Sequence, residues 1–180
     1  MADNGIIVKV QGIDKLKRLL ASLPRTLRRK VLVKALRAGA RVVLKATRAA
    51  VPVLFMPAQY RTKGLLKKRL SVRVSKESRL RGNVGVFVNV KPLKTGWGAK
   101  NPNDPYYWRW AAFGAKPHLI APKLGKTLKF GNLYMKKPVK HPGMKGVNFL
   151  QAGADALPAA LAAFEREAIP AIEALNKPGA

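Results

Sequence analysis

The apolar positions change period several times along the chain. Ile6–Val10 alternates around Lys9 and stops at Gly12, which predicts a short strand. From Ile13, apolar residues at Leu16, Leu19 and Leu20 recur at helical spacing until Pro24 interrupts them. A longer helix is predicted from Pro24 to Ala50, with Pro24 suited to its first turn. Leu27, Val31, Ala35, Ala38, Val42, Ala46 and Ala49 form its apolar or small face, flanked by Leu32, Leu36, Gly39 and Val43. Leu70–Ser75 and Val84–Val90 are β-rich and separated by a polar stretch containing Gly82, the pattern of an antiparallel hairpin.

The second half is less regular. Lys91–Pro105 reads as loop, and Tyr106–Phe113 as a short helix ending at Gly114. Ala115–Lys140 is basic, punctuated by Pro and without clear period; an extended loop and a small hairpin both fit, with Leu128, Phe130 and Leu133 as its apolar contacts. From Asn148 a last helix, to about residue 176, sets Leu150, Leu157, Leu161, Phe164, Ala168, Ile172 and Leu175 on one face; Pro158 and Pro170 should kink or split it. The expected fold class is therefore α+β: one domain over residues 1–180, with a small, mainly antiparallel sheet packed against one long helix, a long basic loop region at about 91–140, and a kinked C-terminal helix.

Charge changes this picture most. The chain of 180 residues holds 36 Lys and Arg against 8 acids, a formal net charge of +28. The stretch after residue 150 reverses the trend, with Asp155, Glu165, Glu167 and Glu173 against Arg166 and Lys177. On the long helix, Lys30, Lys34, Arg37, Arg41, Lys45 and Arg48 fall within an arc of roughly 80°. Like charges at i,i+4 repel, and no acid of the helix interleaves to offset them. A solvated face is one reading. A cationic ridge facing DNA or an acidic partner is the reading favoured here, because the acids are missing altogether.

Candidate chemistry is sparse. There is no cysteine, hence no disulfide and no thiolate metal site. The two histidines, His118 and His141, adjoin prolines and have no carboxylate nearby in sequence. No phosphate-binding glycine motif appears, and the few acids do not suggest a carboxylate mechanism. The expectation is a protein that is not an enzyme, without cofactor, metal or small-molecule substrate. No stretch approaches the roughly 20 apolar residues of a membrane span, and the N-terminus lacks the pattern of a secretory signal. Tyr106, Tyr107, Trp108, Trp110 and Phe113 are expected to be packing or interface anchors rather than a base-stacking platform, because they are contiguous.

Three segments in order resemble a tail-component family of tailed bacteriophages, itself similar to the minor tail protein Z group. They are Lys34–Val53 leading to Thr62–Lys63–Gly64–Leu65–Leu66, then Tyr106–His118, then His141–Ala156 with its His-Pro-Gly and Asn-Phe-Leu. The chain departs from that pattern in extra residues at Leu54–Arg61, in Lys63, and in Ala112 where the family often has an acid. The resemblance implies a structural virion protein of the head–tail junction. It would act in neck or tail completion, as part of a homo-oligomeric ring around the DNA channel, for which six copies is one option. Its partners would be copies of itself, neighbouring neck and tail proteins and, non-specifically, packaged dsDNA; it would reside in the virion, and in host cytoplasm during assembly. In this reading Gly143 and Gly146 permit a tight turn, Asn148 caps the last helix, and Phe149 and Leu150 anchor it. The rival reading is a basic RNA-binding protein of ribosomal type, which explains the charge and not the three motifs.

Overall fold

The computed structural model describes residues 18, 21, 24–53, 62–76, 83–91, 93, 96, 98, 101–123, 126–130 and 132–175. The expected strand Ile6–Val10, most of the helix beginning at Ile13, and the extra segment Leu54–Arg61 lie outside them.

Helix α1, Arg25–Ala50, is the spine of the molecule. Pro24 sits at its N-cap rather than within its first turn, and the Pro24 carbonyl accepts the Arg28 N–H at 2.9 Å. A proline has no N–H to leave unsatisfied at a helix start. After Val51 come the short α2, Leu65–Arg69, and a hairpin of β1, Leu70–Val74, and β2, Val86–Val90. The hairpin pairs antiparallel from Leu70↔Val90 to Val74↔Val86, as the alternation predicted. Helix α3, Trp108–Phe113, follows and ends at Gly114.

Of the two readings of Ala115–Lys140, the structure gives not the extended loop but the hairpin, built in two stages. It forms two nested antiparallel pairs, β3, His118–Ile120, with β6, Val139–His141, and β4, Leu128–Phe130, with β5, Leu133–Met135. The Ala115↔Met144 bridge extends the ladder to its root. Leu133 is not an apolar contact within the subunit, because it is 69% exposed.

The last helix is split in two, as its prolines predicted. Helix α4 spans Phe149–Asp155 and α5 spans Leu157–Leu175. Pro158 stands in the first turn of α5, where its missing N–H costs nothing, and Pro170 lies inside the helix at an exposed position. Asn148 occupies the N-cap of α4 but makes no side-chain capping bond; its carbonyl instead accepts the Gln151 N–H at 3.0 Å. The expected side-chain cap is therefore absent.

Helices α4 and α5 run antiparallel along α1. Val31 and Ala35 pack with Ala168 and Ile172; Gly39 lies under Ala160 and Phe164; Val43 and Thr47 meet Gly153. The deepest line therefore runs through Val31, Ala35, Gly39 and Thr47 of α1 to its C-cap Val51, with half-buried Val43 completing an i+4 ridge of the kind that packs into a facing groove. This rotates the buried face away from Ala49, which is exposed despite its place on the predicted stripe. Thr47 tolerates full burial because its Oγ1 donates to the Val43 carbonyl at 2.8 Å.

A second cluster closes the other end of α1. Val51, Leu66, Leu70, Val90, Ala112 and Phe149 are buried together, with Leu44, Val88, Tyr107, Trp108 and Leu150 against them. Phe149 is the largest fully buried side chain, and Leu150 is half-buried beside it, so this pair anchors α4. The fold is α+β, with its strands in three separate two-stranded antiparallel pairs among the described residues.

Candidate functional site

Packing one side of α1 against α5 leaves the other side to the cations. Lys30, Lys34, Arg37, Arg41 and Lys45 are all exposed. The first four line a groove with Arg29 of the same helix and with Val74, Ser75 and Lys76 at the end of β1. The groove arises because β1 crosses α1, so a strand end supplies a cation that the helical spacing alone does not reveal. Glu167 of α5 is its one acidic lining residue and pairs with Lys34 at 3.3 Å. Both side chains of that pair are solvent-accessible, so the bond neutralises little of the groove's field.

Arg48 stands apart from the other five. It is half-buried, and its Nη2 donates to the Leu70 carbonyl at 2.8 Å, joining the end of α1 to the first residue of β1. Sequence spacing places it on the cationic stripe; the fold gives it a structural bond.

The aromatic segment divides in the same way. Tyr107 and Trp108 pack against the core, while Trp110 and Phe113 are 48% and 67% exposed. Tyr106 lies between them, edge-on to Tyr107 at 5.7 Å and to Trp110 at 5.9 Å between ring centroids. The segment is positioned by a turn in which Asp104, buried, accepts the Gly98 N–H at 2.5 Å through Oδ2. Trp110 and Tyr107 also wall an apolar groove with Leu65, Ile120 and Met144 at the root of the β-arm.

That root is where two distant motifs meet. Gly114 closes α3 with φ +78°, and a Cβ there would run into the Met144 carbonyl and, at 2.7 Å, the Gly146 nitrogen. A Cβ on Gly146 would strike the Gly114 nitrogen and, at 2.6 Å, the Ala112 carbonyl. Ala115 and Met144 exchange two backbone hydrogen bonds of 2.9 Å, and the Val147 N–H donates to the Ala111 carbonyl at 2.9 Å. Gly143 takes φ +83° in the stretch between His141 and the Met144 bridge, so the tight turn expected of Gly143 and Gly146 does not form, and Gly146 is instead required for close approach. His118 and His141 stack across the arm at 4.8 Å between ring centroids. Sequence reasoning found both segments and missed that they form one joint.

No group of three or more His, Cys, Asp or Glu able to hold a metal occurs among the described residues. No described helix is long and apolar enough to cross a membrane.

The family described as "Bacteriophage HK97-gp10, putative tail-component" matches residues 14–114, more than half of the chain. The chain belongs to this family of phage tail components. The matched residues take in α1 through α3 and leave out the His141–Ala156 segment. No curated protein and no solved structure matches the chain.

Proposed function

We propose that this tail component acts at the head–tail junction as a structural subunit of the neck. It completes the tail as part of a homo-oligomeric ring around the DNA channel, between the head connector and the tail tube. The observation that carries the reading is the groove on α1, where Arg29, Lys30, Lys34, Arg37, Arg41 and Lys76 face one acid, Glu167. A wall that must hold duplex DNA without reading its sequence needs cations without base-specific contacts, and such binding weakens steeply with salt. Non-enzymatic, cofactor-free action fits the same reading. The partners are copies of the chain, the adjoining neck and tail proteins and the packaged duplex.

Sedimentation of the purified chain, alone and with the connector and tail-tube proteins, tests this reading. Discrete oligomers joining a neck complex are expected, together with labelling of the chain at the head–tail junction of intact virions. A strictly monomeric chain that enters no such complex, or a label elsewhere on the particle, overturns it.

A further inference from the structure

The arm raises a question that the groove does not answer. In β4–β5 the register Leu128↔Met135, Lys129↔Tyr134 and Phe130↔Leu133 puts Leu128, Leu133 and Met135 on one side. Every one of these is apolar. Leu133 and Met135 are 69% and 39% exposed, and neither strand packs substantially against a helix. A two-stranded hairpin with an uncovered apolar side is marginal in water and marks a surface that something covers. The arm is also entirely cationic: between Ala115 and Met144 it carries Lys116, Lys123, Lys126, Lys129, Lys136, Lys137 and Lys140 and no acid. Its natural cover is therefore acidic and partly apolar.

Among the described residues, α5 carries such a surface. Four of its eight acids lie after residue 150. Glu167 is engaged with Lys34, and Asp155 accepts a hydrogen bond from Gln151 at 2.9 Å. Glu165 and Glu173 are exposed on α5 and make no ion pair among the described residues. Between them on the outer side of α5 lie Ile169, 39% exposed, and Pro170, with Ala162 a turn before. Duplex DNA is the wrong occupant for this acidic surface, and a second copy of a chain at +28 is otherwise repelled.

We propose that the β4–β5 tip of one copy lies on the outer side of α5 of the next. Its apolar side covers Ala162 and Ile169, and Lys136 and Lys137 stand opposite Glu165 and Glu173. The two surfaces are different parts of the molecule, so the contact is head-to-tail, the geometry that makes a ring wherever its rotation closes. It also sets opposite charges against each other, which fixes register and suppresses wrong pairings. The inference rests on the ring reading above and names the surfaces that make the ring.

The absence of cysteine gives a clean test. Leu133→Cys and Ile169→Cys are made in separate chains, mixed, and oxidised gently under conditions where the parent protein sediments as an oligomer. The expected result is a linked dimer in the mixture well beyond either variant alone, and a ladder of linked chains when both substitutions share one chain. Lys136→Glu with Lys137→Glu should weaken self-association about tenfold, as should Glu165→Lys with Glu173→Lys, and mixing the two pairs should restore it. If the chain oligomerises but the mixture links no better than its components, the arm contact is wrong and the ring reading stands. A link confined within single chains overturns the contact by placing the arm on its own α5. A chain that is monomeric throughout overturns the ring reading and this contact with it.

Discussion

Gly39 of α1 lies directly beneath the backbone of Ala160 in α5, so close that a Cβ built on the glycine would stand 2.6 Å from the Ala160 carbonyl oxygen. A helix-interior glycine replaced by alanine ordinarily gains roughly 0.5–1 kcal/mol. Here the obstacle is backbone, which cannot swing aside. Gly39→Ala is expected to destabilise instead, and Gly39→Val by about 1–3 kcal/mol or more through overpacking. Urea or thermal unfolding measures the sign, and a stabilised Gly39→Ala would show that the two helices are farther apart.

Gly146→Ala tests the joint between the two glycine-bearing motifs. Its Cβ would meet only backbone atoms of Ala112, Phe113 and Gly114, so α3 or the turn must move. The expected cost is about 1–3 kcal/mol. Amide hydrogen exchange at Ala115 and Met144, whose mutual bonds close the arm's root, should speed up before exchange in α1 does.

Arg37→Gln, Arg41→Gln and Lys45→Gln together remove three cations from the exposed stripe while nearly preserving helix propensity. Like-charge repulsion is relieved, so the free protein should be as stable as before or slightly more so. DNA affinity should fall and lose part of its salt slope. Infectious particles at normal yield would reduce the stripe to a solvated face.

Glu167→Gln works in the opposite direction. It removes the one acid lining the groove, and the Lys34 pair it breaks is exposed and worth at most about 1 kcal/mol. Unfolding should barely change, while binding to duplex DNA at moderate salt should tighten. Weaker binding would indicate that Glu167 orients Lys34 rather than opposing the polyanion.

Limited trypsin digestion of the free chain should cut first after Lys126, Lys129 or Lys136, on the arm, before any site within α1; Lys137 precedes Pro138 and is not a site. These residues are exposed and the arm packs little on the helices, so local opening there costs little. Assembly should protect them. Equal cleavage before and after assembly would place the arm outside every contact.

How much of this was legible beforehand depends on residue size. The long helix, the β1–β2 hairpin, the short helix ending at Gly114 and the split last helix are visible because periodicity and proline report them directly. The contact of α1 with α4 and α5 is less so: Ala35 and Ala168 fall on the predicted faces and Gly39 beside one, but Gly153 and Ala160, equally intimate, carry no apolar signal. Hydrophobic spacing gives most weight to large side chains such as Leu161, Leu157 and Leu175, yet two helices this close admit only small ones, and Leu175 is 37% exposed. The β-arm stayed undecided between loop and hairpin for another reason: its strands are three residues long, too short for alternation to register. On the groove, four cations of the stripe, Lys30, Lys34, Arg37 and Arg41, were readable from spacing. Arg29 and Lys76 joined them only through folding, and Arg48 left for the Leu70 carbonyl.

The Gly114–Gly146 joint also has a mechanical meaning. The arm's first and last strands are clamped where side chains are absent and backbone touches backbone, at the end of α3, whose Ala112 is buried in the core. At this joint no side chain separates the root of the arm from the body. A displacement of that root is therefore passed to α3 and, through Ala112, to the core around Phe149. The root of the arm is a lever end mounted on the core, and moving it strains the interior of the chain itself.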